Sequence, residues 1–584
     1  MRSKALAIIG LLVAVSMVLA ACGTATPETV IQTVIVEGTP MVVEVTAAAP
    51  VEPVLRVNLN SYPDIIDPQK SSFVNEIAHL KLMYEGLTRL DEKLETVPAA
   101  AESWTYSADA TQVTFKLRPG LVYSDGSVLN AKRYEYSILR NIDPATAGEY
   151  AAITDDIAGA AEWRGADTTA LSEEELAALK AAVQVKALDG AGNACADYEQ
   201  ADCMTLQVGM SHPAPYFHTV MSLWVTYPAK EELISEGGDN WWNSSKYHVG
   251  NGPYVLKSLE PFVRGYFVPN PSYWRTAGTY NIEYSYITDS AVSFEAYRND
   301  ELDIIPFGAE DLATIKADAQ LSQELNIYPG SCTFAVMFHQ LKEPFTDQKV
   351  REAFAEALDR EGWVNDVLKG LGSPTLTWIP AGFPGYDGAE NRWGYDPEGA
   401  KAALAASSYG SVDKLPPITA TFGDTPRNRT RWEYLVSKWK DVLGVDIALN
   451  PVEPTTFTAL TKDVNTAPQM FILGWCADYP DPQNWLSVYW KTGAFGERIG
   501  YSNAEFDALV DEADATIDTA PRMDLYAQAQ TLLTDGAPVA FMWNNVNYYL
   551  VKPWVMGFTK TPMDTAWSGD NDPLTITVDE AAKP

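Results

Sequence analysis

The stretch Gly474-Trp475-Cys476-Ala477-Asp478-Tyr479-Pro480-Asp481-Pro482 places a carboxylate where a strand is expected to end. The apolar run 470–473 before it is typical of a buried strand, and the prolines prevent a helix or strand from continuing. Asp478 is flanked by Trp475 and Tyr479, whose rings would exclude water. A carboxylate in such surroundings is costly unless a cation or several donors pair with it. Asp478 therefore either binds a charged ligand, or caps the turn or pairs with a lysine of the protein.

The length and composition of the chain indicate a large folded protein. Its 584 residues exceed what one core usually supports, so two or three domains are expected. Hydrophobic residues make up 46%, with 17 Trp and 29 Tyr, which is enough to build packed cores. The formal charge of -35 gives a surface that repels nucleic acid, so we expect no nucleic-acid partner.

The first residues, 1–22, are predicted to be a lipoprotein signal peptide. Arg2 and Lys4 precede an apolar run, residues 5–21, that is too short for a comfortable membrane span. Leu19-Ala20-Ala21-Cys22 resembles the bacterial lipobox, in which the cysteine becomes the acylated first residue of the mature protein. We therefore expect export and lipidation at Cys22, which would hold the protein to a membrane surface. A plain signal peptide is the alternative.

Residues 23–53 are predicted to be a flexible tether. They are rich in Thr, Val, Ala, Pro and Glu and show no helical period. The alternative is that residues 33–36 or 41–45 form a strand, because both segments carry β-branched residues.

Four cysteines besides Cys22 indicate disulfides in an exported protein. Four cysteines allow three pairings. Cys195 and Cys203 lie close together in one predicted loop, which favours this pair and leaves Cys332 with Cys476. Metal binding is the competing interpretation, but none of the five histidines stands at ligand spacing to a cysteine, so we expect no metal.

The sequence carries no catalytic motif that we recognise. A Gly-x-Ser-x-Gly elbow, a His-Glu-x-x-His pair, a phosphate-binding glycine loop with lysine and a calcium loop are all missing. We therefore expect no enzymatic activity and no cofactor. Paired carboxylates could still meet in space, so a secreted hydrolase acting on peptides or glycans is the alternative from another class.

The fold class is predicted to be α/β. After Cys332, helices at 348–359, 428–443, 503–517 and 522–534 are interspersed with strands at 418–422 and 445–449. Such a mixture of helices and strands is typical of an α/β fold.

Several separated blocks resemble the solute-binding proteins of ABC transporters that carry oligopeptides and dipeptides, extracellular solute-binding protein family 5. Their order and spacing match the family. The blocks are 84–91 (YEGLTRLD), 101–104 (AESW), 115–120 (FKLRPG), 124–126 (SDG), 251–254 (NGPY), 474–479 (GWCADY), 546–547 (VN) and 550–554 (LVKPW).

The resemblance implies a periplasmic-binding-protein fold, with two α/β lobes joined by a hinge and an extra domain inserted in the first lobe. Lobe one would comprise 54–73, 208–330 and 546–584, with the inserted domain at 74–207. Lobe two would be 331–545, and the hinge crossings would lie at Cys332 and near Asn547.

The resemblance also implies a site. In oligopeptide-binding members, cysteines matching Cys332 and Cys476 form a disulfide, and the aspartate matching Asp478 pairs with the terminal ammonium of the ligand. The backbone near Trp475 and Cys476 would hold the peptide main chain from one lobe.

From the other lobe, Ser61, Tyr62 and Pro63 would contact the peptide main chain. Aromatic residues such as Trp543 either line side-chain pockets or belong to the core. The chain departs from the family at Ile472, where a related member has an arginine positioned for a ligand carboxylate. The C-terminus of a short peptide would then need another cation or water.

The function implied is that of a lipid-anchored receptor, expected to be monomeric, in the periplasm or on the cell surface. It would capture peptides and deliver them to an ABC transporter permease. The same fold could instead bind an oligosaccharide or another small solute, or present its ligand to a membrane receptor as a sensory module.

Overall fold

The structure is a computed structural model that describes residues 29–36, 39–46, 52–563, 567 and 572–584. The predicted signal peptide and the predicted lipidation site Cys22 lie outside these residues. Within the described residues, no helix has both the length and the apolar character that crossing a membrane requires.

The N-terminal unit, residues 1–53, contains a β-hairpin. Its strands, Thr29–Val36 and Thr39–Thr46, pair in antiparallel register, with Thr29 opposite Thr46. The tether over residues 23–53 stays a prediction, within which these two segments form paired strands. Their Thr, Val and Ile residues favour extended backbone, which is the alternative that the sequence leaves open.

The strands of the described residues are numbered in chain order, beginning with the hairpin. They are β1 (Thr29–Val36), β2 (Thr39–Thr46), β3 (Val54–Asn58), β4 (Thr88–Leu90), β5 (Thr96–Pro98), β6 (Ala101–Tyr106), β7 (Gln112–Leu117), β8 (Val185–Leu188), β9 (Thr205–Gly209), β10 (Tyr254–Glu260), β11 (Arg264–Pro269), β12 (Asn281–Ser285), β13 (Ile304–Pro306), β14 (Leu325–Phe338), β15 (Ser373–Pro374), β16 (Ile418–Gly423), β17 (Ile447–Val452), β18 (Met470–Cys476), β19 (Val539–Val551), β20 (Val555–Met556) and β21 (Thr577–Val578).

The α-helices of the described residues follow the same convention. They are α1 (Val74–Met83), α2 (Ala131–Asn141), α3 (Ala160–Arg164), α4 (Glu173–Ala182), α5 (Phe217–Val220), α6 (Glu231–Gly237), α7 (Ser290–Arg298), α8 (Leu312–Ala317), α9 (Leu321–Glu324), α10 (Gln348–Glu356), α11 (Arg360–Gly362), α12 (Pro397–Ala406), α13 (Pro426–Leu443), α14 (Pro454–Leu460), α15 (Pro482–Trp485), α16 (Ser487–Trp490), α17 (Ala504–Ala515) and α18 (Thr519–Asp535).

A mixed eleven-stranded sheet runs through the body of the protein, and helices pack on it, as the α/β prediction requires. Its order is β10-β11-β12-β3-β13-β19-β14-β18-β16-β17, with β15 paired beside β19. A separate four-stranded sheet, in the order β6-β7-β9-β8, is built from residues of the predicted inserted domain and the start of the segment that follows it.

The two long central strands, β14 and β19, are antiparallel, and their register shifts twice, once between Pro329 and Thr333 and once between Phe334 and Ala335. Pro329 lies opposite Val546, and after a register shift Thr333 lies opposite Asn544. The three residues 330–332 therefore face a single residue, Asn545. The Asn545 side chain accepts a hydrogen bond of 2.7 Å from the backbone N–H of Cys332. The predicted hinge residue Cys332 thus lies at this interruption.

Helix α13 shows why a long helix forms beside β16 and β17. Thr425 caps its first turn by accepting a hydrogen bond of 3.2 Å from the N–H of Asn428, and Pro426 follows at the first helical position. Gly444, with φ of 75°, ends the helix. Its buried side chains recur at helical spacing and pack into the core: Trp432, Leu435, Trp439 and Leu443.

Candidate ligand-binding site

Strand β18 is paired on one side only over most of its length. Along that side it pairs with β14 from Met470 to Cys476. On the other side β16 meets it only through the pair Ala420 and Met470. Among the strands that the structure describes, none pairs with residues 471–476 there, and we call this the unpaired edge of β18. An extended ligand could add to such an edge through main-chain hydrogen bonds.

The prediction of a strand at 470–473 is correct but incomplete. The strand continues to Cys476, and only Met470 and Phe471 are buried, whereas the later residues are half-buried or exposed. The apolar run therefore marks the buried start of the strand.

Both predicted cysteine pairs form disulfides. The Cys332–Cys476 bond joins two residues that lie directly opposite each other, Cys332 near the middle of β14 and Cys476 at the end of β18. Next to it, the N–H of Ala477 donates a hydrogen bond of 2.9 Å to the carbonyl of Ser331. This covalent and hydrogen-bonded junction fixes the end of β18 from which Asp478 follows. The second bond joins Cys195 and Cys203.

Asp478 lies two residues beyond β18 and is held by Asn484 on α15. The side-chain amide of Asn484 donates a hydrogen bond of 3.1 Å to Asp478 Oδ2. Its Oδ1 accepts from the backbone N–H of Asp478 at 3.2 Å and from the indole N–H of Trp475 at 3.0 Å. The amide is therefore oriented by Trp475 to donate to the carboxylate.

The Asp478 side chain is half-buried, and among the described residues its carboxyl group is hydrogen-bonded by an amide and a hydroxyl group. Burial raises the pKa of Asp478, while hydrogen bonds from Asn484 and Tyr150 oppose the shift. Among the described residues, no lysine or arginine forms a salt bridge with it. The turn is capped instead by Asp481, which accepts a hydrogen bond of 2.9 Å from the N–H of Gln483. The geometry therefore favours a ligand as the partner of Asp478 over a turn cap or a lysine of the protein.

Asp478 faces a cavity of about 320 Å³. The Cys332–Cys476 disulfide forms one wall, and the other walls are largely apolar. The apolar lining residues are Val74, Ile77, Leu90, Leu223, Trp224 and Met563. Lys81 also lines this cavity. A ligand group that enters here would leave water and lie beside the Asp478 carboxylate.

A second cavity, of about 480 Å³, adjoins the first because Val74 lines both. Ser61 lines it together with residues 545–549 of β19. Of the three residues predicted on this side, only Ser61 reaches the cavity. The Tyr62 ring packs on Phe262 and Tyr286 at centroid distances of 4.8 and 5.1 Å, and Pro63 is buried.

The rings of Trp475 and Tyr479 do not cover Asp478 as the sequence suggests. The Trp475 ring lies on the face of β18 opposite Cys476, at 5.3 Å from Tyr489 and 5.0 Å from Phe495. The Tyr479 ring is buried and stacks on Tyr216. Strand alternation sends Trp475 to one face and Cys476 to the other, so Trp475 supports the site through its indole N–H.

Trp543 and Ile472 lie on the same face of the sheet as Cys476. Trp543 is buried, and its ring stacks on Phe334 at 4.6 Å with an interplanar angle of 10°. Ile472 is half-buried opposite Val336. Trp543 therefore belongs to the core on this side, and Ile472 presents no charge to the cleft.

Asn484 and Tyr150, which both hydrogen-bond to Asp478, are not among the predicted site residues. The sequence could have indicated Asn484, because Asp481-Pro482 is a typical helix start. Asn484, three residues after Asp481, then lies in the first helical turn, next to the turn that contains Asp478. No sequence signal indicates Tyr150, since it comes from a distant loop whose position depends on tertiary packing.

The chain is similar to known solute-binding proteins over most of its length. The model of the family "Bacterial extracellular solute-binding proteins, family 5 Middle" matches residues 95–497. The periplasmic oligopeptide-binding protein OppA of Escherichia coli K12 is 29% identical over 523 residues, covering 88% of this chain and 91% of OppA. The probable deoxycholate-binding periplasmic protein YgiS of the same organism is 28% identical over 539 residues, covering 90% of this chain and 95% of YgiS.

A solved structure has the same fold. The unliganded open form of the periplasmic murein tripeptide binding protein MppA superposes with a TM-score of 0.76 at 23% identity. The match covers 91% of this chain and 98% of MppA. The family model spans more than half of the chain, and the blocks around Asp478 and Cys476 lie within it. The chain therefore belongs to family 5 of the bacterial extracellular solute-binding proteins.

Proposed function

We propose that the protein is a lipid-anchored extracytoplasmic receptor that captures peptides between two lobes and delivers them to an ABC transporter permease. The observation that carries this proposal is the half-buried carboxylate of Asp478, which forms no salt bridge among the described residues and follows the unpaired edge of β18. A peptide offers both complements, an ammonium group for the carboxylate and a main chain for the strand edge.

The chemistry of recognition follows from these two elements. An enclosed carboxylate is costly alone, and a charge-assisted hydrogen bond from an ammonium group offsets that cost and orients the ligand. Main-chain hydrogen bonds to residues 471–476 would give affinity without selecting particular side chains. The relative OppA, described as an oligopeptide-binding protein, supports a peptide as the ligand.

We further propose that residues 331–545 form lobe two, with residues 54–73, 208–330 and 546–584 as lobe one and 74–207 as the inserted domain. The interruption of β14 and β19 at Asn545 falls at the proposed lobe boundary, which supports this division. Ser61 would then contact the ligand from lobe one and Asp478 from lobe two. A ligand that bridges both lobes stabilises the closed state through its higher affinity for that state.

The test of the ammonium site is Asp478→Asn, which keeps the shape and an acceptor for Asn484. Calorimetry should show that free-amine tri- to hexapeptides lose at least about tenfold in affinity, as expected for a charged hydrogen bond. N-acetylation of the peptides should weaken binding to the wild type by a similar factor. Asp446→Asn, at an exposed carboxylate paired with Lys440, is the matched control.

Equal affinity of the wild type for amine and N-acetyl peptides would contradict the ammonium role of Asp478. An Asp478→Asn variant whose affinities for the free-amine and N-acetyl peptides equal those of the wild type would contradict this role as well.

A different small solute is the second candidate ligand. The apolar walls of the cavity beside Asp478 and the description of YgiS as deoxycholate-binding favour testing it. The mass of the ligand that copurifies with the protein distinguishes a peptide from another solute. The secreted hydrolase is disfavoured because family 5 is a family of solute-binding proteins. A peptide pool incubated with the protein should therefore be recovered intact by mass spectrometry.

A further inference from the structure

The turn that carries Asp478 contacts the proposed lobe one as well as lobe two. The amide of Gln483 donates a hydrogen bond of 3.1 Å to the hydroxyl group of Tyr216, and the hydroxyl group of Tyr479 donates to the same Gln483 side chain. Tyr479 is buried in the same hydrophobic cluster as Tyr216. The turn therefore joins the two proposed lobes directly beside the ligand site.

An arginine of the proposed lobe two completes this contact. Arg522 pairs with both carboxylate oxygens of Asp481, and its guanidinium lies 5.5 Å from the centroid of the Tyr216 ring. The side chains of Arg522 and Asp481 are only 9% and 14% exposed. Because an unpaired buried charge is costly, this ion pair stays together and gives Tyr216 a fixed surface to pack on.

The contact holds a conformation in which both proposed lobes line the ligand site. The cavity beside Asp478 is lined by Val74 of the inserted domain and Leu223 of lobe one, and by Cys332 and Cys476 of lobe two. A contact that maintains this arrangement increases the fraction of the protein that can bind a ligand. The apparent affinity for the ligand rises in proportion to that fraction.

A histidine lies at the edge of the contact, on the side of lobe one. The Nε2 atom of His212 lies 3.3 Å from Oδ1 of Asp156. The hydrogen bond to Asp156 raises the pKa of His212 and the charge of Asp514 adds to the shift, whereas partial burial and Lys491 oppose it. A protonated His212 therefore attracts Asp156 on its own side and Asp514 on lobe two.

Asp514 is the titratable partner on lobe two. Its Oδ1 atom accepts hydrogen bonds from the hydroxyl groups of Ser487 at 2.8 Å and Tyr526 at 2.5 Å. Burial raises the pKa of Asp514 to about 6 and the charge of Asp481 adds to the shift, whereas these hydrogen bonds and Arg522 oppose it. Asp514 therefore changes from a neutral acid to a carboxylate as the pH rises through about 6.

The other histidine and the tyrosines at the contact keep one charge state near neutral pH. Burial lowers the pKa of His218, which faces Asp481 and Arg522, to about 4, so His218 is neutral. Burial raises the pKa of the tyrosines above their usual range, so they stay protonated: Tyr106, Tyr216, Tyr479 and Tyr526. His212 and Asp514 are therefore the groups whose charges respond to pH in this range.

We propose that Tyr216 and Arg522 form a latch between the lobes that positions the Asp478 turn, and that the charges of His212 and Asp514 set its strength. The inference rests on the proposed function and on the proposed division into lobes. A protonated His212 and an ionised Asp514 attract each other across the lobe boundary, and loss of either charge ends this attraction. The latch is therefore strongest between about pH 6 and the raised pKa of His212.

Tyr216→Phe tests the latch, because it removes the acceptor for Gln483 and keeps the ring beside Arg522. Calorimetry at neutral pH should show that free-amine and N-acetylated tri- to hexapeptides both bind about two- to fivefold more weakly than to the wild type. The ratio between the two affinities should stay at the wild-type value, because Asp478 itself is unchanged. Tyr386→Phe, at an exposed tyrosine away from the contact, is the matched control.

The pH profile tests the two charges. At each pH the affinity of the wild type is divided by that of His212→Gln, which cancels the titration of the peptide and of Asp478. This quotient should be about two- to fivefold near neutral pH, as for a partly exposed ion pair, and should fall to one well below pH 6 and well above the pKa of His212. In an Asp514→Asn background, His212→Gln should have no effect at any pH.

Small-angle X-ray scattering of the ligand-free protein tests the latch without any peptide. Near neutral pH the wild type should have a smaller radius of gyration than Tyr216→Phe. Unchanged peptide affinities in Tyr216→Phe, a changed ratio between its two affinities, or a quotient that does not vary with pH would overturn the latch and leave the peptide function standing. If no peptide binds the wild type, the proposed peptide function is wrong, and equal radii of gyration would then overturn the latch as well.

Discussion

At the scale of single residues, the carboxylate of the proposed ligand site is costly to the folded protein by itself. Burial raises the pKa of Asp478, which means that the folded protein disfavours its charged form relative to the unfolded chain. The same enclosure makes a bond to an ammonium group strong once the ligand arrives. Three residues on, Asp481 has the opposite character, because Arg522 pairs with both of its carboxylate oxygens at 2.6 and 2.8 Å.

We expect Asp478→Asn to leave the ligand-free protein as stable as the wild type, or more stable, at neutral pH. When the pKa of a carboxyl group is higher in the folded state than in the unfolded state, its protonated form stabilises the folded protein. This stabilisation is complete below the unfolded pKa, about 3.9, and is lost as the pH rises through the folded pKa. The variant lacks this titration. Thermal unfolding should show the advantage of the variant shrinking as the pH falls toward about 4.

Asp481→Asn provides the contrast, since it breaks the ion pair with Arg522 and should destabilise the protein by about 3 to 5 kcal/mol. An Asp478→Asn variant that is clearly less stable than the wild type at neutral pH would show that the protein itself compensates the Asp478 charge.

At the scale of elements, β18 is held on one side by β14 and by the Cys332–Cys476 disulfide. Replacing both cysteines with serine should lower the free energy of unfolding by about 5 kcal/mol at most, since the bond closes a loop with a sequence separation of 144. It should also weaken peptide binding, because the end of β18 that leads to Asp478 is no longer fixed. Denaturant titration and calorimetry measure the two effects.

The Cys195–Cys203 disulfide is the matched control. Its sequence separation is 8, so the corresponding serine variant should lose only about 2.5 kcal/mol. It lies outside the two cavities, and peptide affinity should be unchanged. Equal losses of affinity in both serine variants would indicate a general loss of folding instead of a local effect on β18.

The elements differ in how far the sequence determines them. Helix α13 is predictable within two residues at its start because Pro426 and Gly444 bound a clear helical period. The unpaired edge of β18 is not predictable, since it depends on how β16 diverges from β18 after Met470. Asp478 is predicted from the local sequence and the resemblance, whereas Tyr150 becomes a candidate only when tertiary packing shows its neighbour Asp478.

At the scale of the whole molecule, β14 and β19 connect the two proposed lobes, and a further contact joins the lobes beside them. In that contact the amide of Gln483 donates a hydrogen bond of 3.1 Å to the hydroxyl group of Tyr216, whose ring stacks on Tyr479. The interruption at Asn545 provides a place where the long strands can bend, because residues 330–332 are not paired there with residues of β19 in regular register.

We expect peptide to compact the protein. Small-angle X-ray scattering should give a radius of gyration of roughly 25 Å for a compact chain of this length, and saturating peptide should reduce it because Ser61 and Asp478 would then contact one ligand from opposite lobes. Asp478→Asn at the same peptide concentration should show no such reduction, whereas the control Asp446→Asn should compact as the wild type does. If calorimetry shows binding while the radius of gyration of the wild type stays constant, the ligand contacts one lobe only, and the bridging role assigned to Ser61 and Asp478 is wrong.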